Sequence, residues 1–321
     1  MLATIGIIGC GAVAQTLHLP ALARIPGVQV AAAADPDPAQ RSAMARFQIP
    51  KIYADHRDLL ADPAITAVAI LTPPATHAAI GSEALAAGKA VLIEKPLTLT
   101  LEEADRLLAA EDSSVPRMAA VGFNLRHHPF VQAAKEAVSA LEPVAITSIF
   151  AIASGGVGWR KQPDAGAEAL LELGTHHFDL WRFLFAAEVE SVSAFTAGGA
   201  VVVNARLQGG AVATGTFMTG GFDAHRLEIV GTHGHIDAAL YRFDGLRITR
   251  GAGRHWAADG IRMARGLINA RGTNIFATSY VEEWRAFLNG QPTASLYDGR
   301  QALAIALAAR ESLATGKVVT L

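Results

Sequence analysis

Through the first part of the chain, short unbroken apolar runs alternate with stretches whose apolar residues return every three or four positions. That rhythm predicts parallel strands joined by helices. Strands are expected at Thr4–Ile8, Val28–Ala34, Ala67–Leu71, Ala90–Ile93 and Ala119–Phe123, and helices at Gln15–Ala23, Pro38–Phe47, His77–Ala87 and Leu101–Ala110. Ala67–Leu71 is apolar at every position, as a strand covered on both faces must be.

A helix around Phe130–Leu141, stopped by Pro143, leads into a different texture. Val144–Ala153, Val189–Phe195, Ala200–Leu207, Val212–Met218, Arg226–Val230 and Gly234–Ala238 read as strands joined by glycine-rich turns. Such a series favours an antiparallel meander over βαβ crossovers. Helices are expected at Ala167–Phe185, Ser279–Leu288 and Gly299–Thr315. The change of texture divides the chain into an α/β domain over 1–123 and an α+β domain over 124–321.

The 321-residue length suits two domains, and 51% hydrophobic against 17% charged residues supplies two buried cores and excludes a disordered chain. A net charge of -2 offers no basic field for a nucleic acid. One cysteine, Cys10, excludes an internal disulfide and a multi-cysteine metal site, and fits a reducing compartment. Met1–Cys10 superficially resembles a lipoprotein signal but lacks a positive start, and its apolar run is short. No run is long enough to predict a membrane span, so a cytoplasmic protein is expected.

Chemistry gathers at three places. Gly9-Cys10-Gly11-Ala12-Val13-Ala14 follows a strand and opens a helix, matching the dinucleotide fingerprint G-x-G-x-x-A. The first glycine permits a tight turn, the second lets backbone approach a pyrophosphate, and the helix N-terminus offers N–H groups. Asp35 ends the second strand, where a carboxylate accepts from the adenosine ribose hydroxyls and repels a 2′-phosphate; it reads as a mark of NAD over NADP. As a lone feature, Asp35 also suits a turn or helix cap before Pro36-Asp37-Pro38.

Two further strand ends face the same ligand region. Thr72-Pro73-Pro74 stiffens one of them, and His77 either caps the following helix or touches the cofactor. Glu94-Lys95-Pro96 ends the next, placing the Lys95 ammonium to polarise a hydroxyl or hold a developing alkoxide. In the second half, Glu172, His176 and Asp179 fall at i, i+4 and i+7 on one helix face, with Leu170, Leu173, Trp181 and Leu184 on the buried side. An imidazole beside carboxylates serves as a general base. A structural polar network is the competing reading; a metal site lacks a His-x-x-x-His pair or cysteine partners, and none is expected. His177, about 100° around the helix from His176, reads as a packing residue.

With these pieces the sequence resembles the glucose–fructose oxidoreductase, inositol dehydrogenase and MocA-like (Gfo/Idh/MocA) family over essentially its whole length. The landmarks are the glycine loop with His18-Leu19-Pro20-Ala21-Leu22, Glu94-Lys95-Pro96, Gly122-Phe123-Asn124-Leu125-Arg126-His127-His128-Pro129 and Glu172-Leu173-Gly174-Thr175-His176. The resemblance implies a doubly wound Rossmann domain followed by a domain with a large, predominantly antiparallel open sheet, with the final helix able to pack back on the first. It implies a substrate pocket between the domains and self-association as a dimer or tetramer through the open sheet. Lys95, Glu172 and His176 carry the chemistry by this likeness. Gly9, Gly11, Ala12, Val13, Asp35, Thr72, Pro73, His77, Glu94, Lys95, Asn124, Trp159 and Arg160 meet the cofactor, and Arg126 and Asp179 shape the substrate pocket. One departure is Glu172, where the family usually has aspartate. The implied activity is NAD(P)-dependent hydride transfer between the nicotinamide and a secondary alcohol of a sugar, sugar derivative or cyclitol, with NAD preferred over NADP. Redox-assisted glycoside cleavage and a non-catalytic NAD(H)/sugar sensor are the alternatives.

Overall fold

The protein is described here by a computed structural model covering residues 3–113, 118–153, 168–242, 244–251, 275–291 and 294–321. Trp159 and Arg160 lie outside these residues. Met1–Asn124 with Ser279–Leu303 form one unit, and Leu125–Thr278 with Ala304–Leu321 a second.

The first unit carries six parallel strands: β1 (Ala3–Ile8), β2 (Val28–Ala34), β3 (Lys51–Tyr53), β4 (Ala67–Ile70), β5 (Ala90–Ile93) and β6 (Ala119–Val121). Helices α1 (Leu19–Leu22), α2 (Pro38–Ala43), α3 (His56–Leu60), α4 (His77–Ala86) and α5 (Leu101–Asp112) lie between them. The strand order is β3-β2-β1-β4-β5-β6, the doubly wound arrangement expected. Strands β4 and β5 are buried at every position, which accounts for their unbroken apolar character. Asp37, Asp55 and Thr100 start α2, α3 and α5 by accepting a backbone N–H from inside the first turn. Chain order reverses between β1 and β4, so ligands of such a sheet bind beyond their C-terminal ends.

The second unit holds α6 (Pro129–Val138), β7 (Pro143–Ile152), α7 (Thr175–Phe185), β8 (Val189–Ala197), β9 (Ala200–Leu207), β10 (Val212–Thr219), β11 (Ala224–Gly231), β12 (Gly234–Ala239) and β13 (Leu246–Arg250). Past α8 (Ile275–Leu288) and α9 (Leu296–Thr315), the short β14 (Val319–Thr320) completes an eight-stranded sheet of order β13-β12-β11-β7-β10-β9-β8-β14. The sheet is predominantly antiparallel, but it is not the simple meander expected. Strand β7 inserts between β11 and β10 and runs parallel to β10. Each strand keeps the same in–out alternation whichever neighbour it pairs with, so periodicity carries no signal for this insertion. Ile146, Phe150, Val201, Val203, Phe217, Leu227 and Ile229 are buried, whereas Phe195, Val212 and Val230 are exposed. Trp181 of α7 donates from Nε1 to the Ser148 hydroxyl of β7 at 2.9 Å, tying helix to sheet.

Residues Ser279–Leu303 belong with the first unit. There the Val121 N–H donates to the Ala294 carbonyl at 3.2 Å, and Arg300 of α9 meets Asp105 of α5 at 2.5 Å. Gly299 has no room for a Cβ, which would lie 2.7 Å from Val121 Cγ2 and 3.0 Å from Leu97 Cβ.

Candidate functional site

At the end of β1, Gly9 adopts φ +94°, and a Cβ there would sit 2.7 Å from the Leu71 carbonyl. Only glycine meets both demands. A Cβ on Gly11, by contrast, would touch nothing within 4 Å, so the loop backbone faces open space of the kind a pyrophosphate needs. The helix that opens at Ala12 takes one π-helical turn over Ala14–His18 before α1. Asp35 Oδ2 accepts the Cys10 N–H at 2.8 Å, and Oδ1 accepts the Asp37 N–H at 2.9 Å. Arg41 donates to the Asp35 and Pro36 carbonyls, both at 2.8 Å. These residues fit a dinucleotide.

The ends of β4 and β5 are strapped together by His77. Its Nε2 lies 2.8 Å from the Thr72 carbonyl, and its Nδ1 lies 3.1 Å from that of Pro96 and 3.2 Å from that of Leu97. Burial pushes the imidazole pKa down, and the carbonyls oppose that shift, Thr72 foremost. His77 is thus built into the two strand ends; Thr72 is half-buried and Pro73 exposed. At the β5 end, Glu94 accepts the Lys95 N–H on Oε2 at 2.9 Å and meets His18 Nε2 through Oε1 at 2.9 Å. Burial raises the Glu94 carboxyl, but the His18 hydrogen bond, with the charge and amide of Lys95, holds it below the usual range. The Lys95–Pro96 bond is cis, and Lys95 is half-buried.

Beyond β6, buried Asn124 donates to the Ser279 hydroxyl at 2.8 Å, and its Oδ1 has no partner among the described residues. A buried acceptor of this kind suits a carboxamide N–H.

In the second unit, Glu172 lies in a π-helical turn over Leu170–Gly174 that runs directly into α7. Single π turns recur at functional sites. Gly174 leaves room there for the Phe178 ring, 2.8 Å from where its Cβ would be. Glu172 and His176 are 8% and 9% exposed, so both reach the edge of the protein interior rather than its surface. Asp179 differs from them. It is wholly buried and forms a two-point ion pair with Arg126, Nε to Oδ2 at 2.8 Å and Nη2 to Oδ1 at 2.6 Å. The Arg126 guanidinium also lies 4.9 Å over the Phe183 ring. The helix is buried on every side, beyond the expected Leu170, Leu173, Trp181 and Leu184. His177 packs in this interior, its Nε2 3.0 Å from His225 Nε2, and burial lowers its pKa to about 3.

Three polar residues were given no role by the sequence reading: His18, which it named only as a landmark, and Glu283 and Trp284, which it did not name. His18 carried a signal, a histidine in the helix after the glycine loop; the other two sit among the apolar positions of α8 with nothing to mark them. Among the described residues, no three His, Cys, Asp or Glu side chains gather as metal ligands, and no helix is long and apolar enough to cross a membrane.

Residues 3–123 match the model of the oxidoreductase family with an NAD-binding Rossmann fold, and residues 142–237 match the Gfo/Idh/MocA C-terminal domain. The chain belongs to this family. It is therefore an oxidoreductase with an NAD-binding domain. Among its Gfo/Idh/MocA relatives, the uncharacterized oxidoreductase YrbE of Bacillus subtilis is 29% identical over 98% of this chain and 96% of its own. Inositol 2-dehydrogenase of Burkholderia multivorans is 40% identical over 37% of this chain and 36% of its own. A levoglucosan dehydrogenase solved with NADH and levoglucosan superposes with a TM-score of 0.85 at 25% identity, covering 99% of both chains. Neither glycoside cleavage nor a non-catalytic sensor finds support among these relatives.

Proposed function

We infer that the protein reversibly oxidises a secondary alcohol of a sugar, sugar derivative or cyclitol, with NAD as partner. The observation that carries this is Lys95: a half-buried lysine beside the buried Glu94 carboxylate, at a strand end of the dinucleotide-binding sheet. The chain's similarity to an inositol 2-dehydrogenase and a levoglucosan dehydrogenase supports the substrate class.

NAD supplies the hydride acceptor when bound. Gly9, Gly11, Ala12 and Val13 hold its pyrophosphate, and Asp35 its adenosine ribose. Thr72, Pro73, His77 and Glu94 form a wall, and Asn124 Oδ1 takes the carboxamide N–H. Trp159 and Arg160 are assigned to the same end. Lys95 Nζ donates to the reacting hydroxyl oxygen and steadies negative charge there. His176 removes the proton from that oxygen, and the Glu172 carboxylate supports the resulting imidazolium. Arg126 and Asp179, locked to each other, stiffen the substrate end. Glu172 is one methylene longer than aspartate, and we assign its effect to substrate choice.

Asp35 favours NAD over NADP, because a 2′-phosphate would meet its carboxylate. We further place the protein in the cytoplasm, where its lone cysteine suits the reducing environment. Self-association is assigned to the sheet face bearing Phe195, Val212 and Val230. The direct test is a panel of inositols, aldohexoses and anhydrosugars offered with NAD and with NADP. NADH formation from at least one alcohol is expected, and silence across the panel with bound NAD removes the reading.

A further inference from the structure

The proposed chemistry leaves unused a group of buried polar side chains in the first unit. His18 is fully buried. Its Nε2 lies 2.9 Å from Glu94 Oε1, and its Nδ1 lies 3.1 Å from Trp284 Nε1. An indole N–H only donates, so His18 Nδ1 must present its lone pair. The ring therefore carries its one proton on Nε2 and donates it to Glu94; a second proton would set N–H against N–H at Trp284. The bonds have one direction, from Trp284 through His18 to Glu94. The Tyr280 ring, edge-on 5.3 Å from the imidazole, helps hold it in place.

Glu94 in turn uses both oxygens, Oε1 for His18 and Oε2 for the Lys95 amide. Its carboxyl fills the space that a Cβ on Gly122 would contest at 3.3 Å. The adjacent acid behaves in the opposite way. Glu283 is buried, and neither of its oxygens has a partner among the described residues. Burial first, and the charge of Glu94 second, hold its carboxyl well above the usual range. Of the two acids, Glu94 is the charged one. The groups around it are His18 from the π turn before α1, Glu283 from α8, His77 from the start of α4, and Lys95 itself.

We propose that Trp284, His18 and Glu94 form a one-way hydrogen-bond chain that keeps a single negative charge next to Lys95. Trp284 and His18 are then positioning residues for Lys95, acting through Glu94; this last step rests on Lys95 serving the substrate oxygen. A lysine side chain is long and flexible, and a fixed counter-charge narrows its range. Without the indole donor, the chain is free to reverse. His18 then holds its one proton on Nδ1, and Glu94 takes up a second proton from solvent and donates it to Nε2, which extinguishes the charge.

Two readouts test this. In protein labelled with 15N-histidine, two-bond 15N–1H spectra report the tautomer, and His18 is the ring lost in His18→Asn or altered in Trp284→Phe. The expected pattern is an unprotonated Nδ1 and a protonated Nε2; a protonated Nδ1 overturns the chain, whether or not any alcohol is oxidised. The second readout is the pH profile of NADH formation from myo-inositol, levoglucosan or D-glucose by Trp284→Phe. The acid limb of kcat/KM should move up by about one pH unit and turnover should fall about tenfold below it, with NAD affinity kept. A merely structural tryptophan would lower Tm and leave the limb in place, and that result overturns the positioning role. If Trp284→Phe does not fold, His18→Asn carries the same profile. Absence of turnover in the wild type would remove the role for Lys95 while the spectra still decide the chain.

Discussion

Asp35 Oδ2 accepts the backbone N–H of Cys10 at 2.8 Å, so the acid that ends β2 also closes the glycine loop that follows β1. One carboxylate thus ties the turn after β1 to the end of β2, the two places assigned above to the pyrophosphate and the adenosine ribose.

Asp35→Ser tests both duties. Losing charged acceptors should weaken NAD binding about tenfold or more. Removing the negative charge should raise NADP affinity, narrowing the NAD-over-NADP ratio. Titration of both dinucleotides by fluorescence reads the two effects; an unchanged ratio would show that Asp35 does not discriminate.

Burial makes the thiol of Cys10 unreactive. Burial, followed by the Asp35 charge, pushes its pKa up to about 12, although Arg41 pulls slightly the other way. At pH 8 only roughly one thiol in ten thousand is a thiolate. Disulfide reagents should label the native protein far more slowly than the unfolded chain. Rapid stoichiometric labelling of native protein is the contrary result.

Asp179→Asn isolates the pair with Arg126. Both side chains are nearly fully buried, and removing one charge leaves the other uncompensated. A loss of about 3–5 kcal/mol in unfolding free energy is expected by urea denaturation. A loss below about 1 kcal/mol would mean that water reaches the guanidinium and screens it.

Glu283 gives stability a distinctive pH dependence. Its folded pKa is raised well above 4.5, so above that value the unfolded chain has lost a proton that the folded protein keeps. The contribution is fully present below pH 4.5 and is lost as pH rises towards the folded pKa, at about 1.4 kcal/mol per pH unit. Glu283→Gln lacks this slope, so its stability should gain on the wild type as pH rises above 4.5. Parallel stability curves would show that Glu283 is ionised in the folded protein.

Local chemistry made much of this legible in the sequence. The apolar run of β1, the turn at Gly9 and the acid at Asp35 signal one another within a single βαβ unit. Glu94-Lys95-Pro96 declares itself at the end of an unbroken apolar strand. What stayed hidden depends on distant partners or local winding. Trp284 reaches His18 from across the chain, and neither residue's neighbours hint at the other. Helical spacing put Asp179 beside Glu172 and His176, but it could not foresee Arg126 beside Asp179 or the π turn under Glu172. Strand β7 kept its alternation wherever it was inserted, so its place beside β10 left no trace in the pattern. The three-residue β3 and two-residue β14 are too short to show any period.

The central claim is that Lys95 and His176 act on the same hydroxyl. Steady-state NADH formation by Lys95→Ala, His176→Ala and the double variant tests it most directly, with NAD binding measured alongside. Each single variant should retain NAD and lose about 10²–10⁴-fold in turnover, and the double variant should be little worse than the poorer single. Turnover unchanged in both single variants, or losses that simply multiply in the double, would contradict the account.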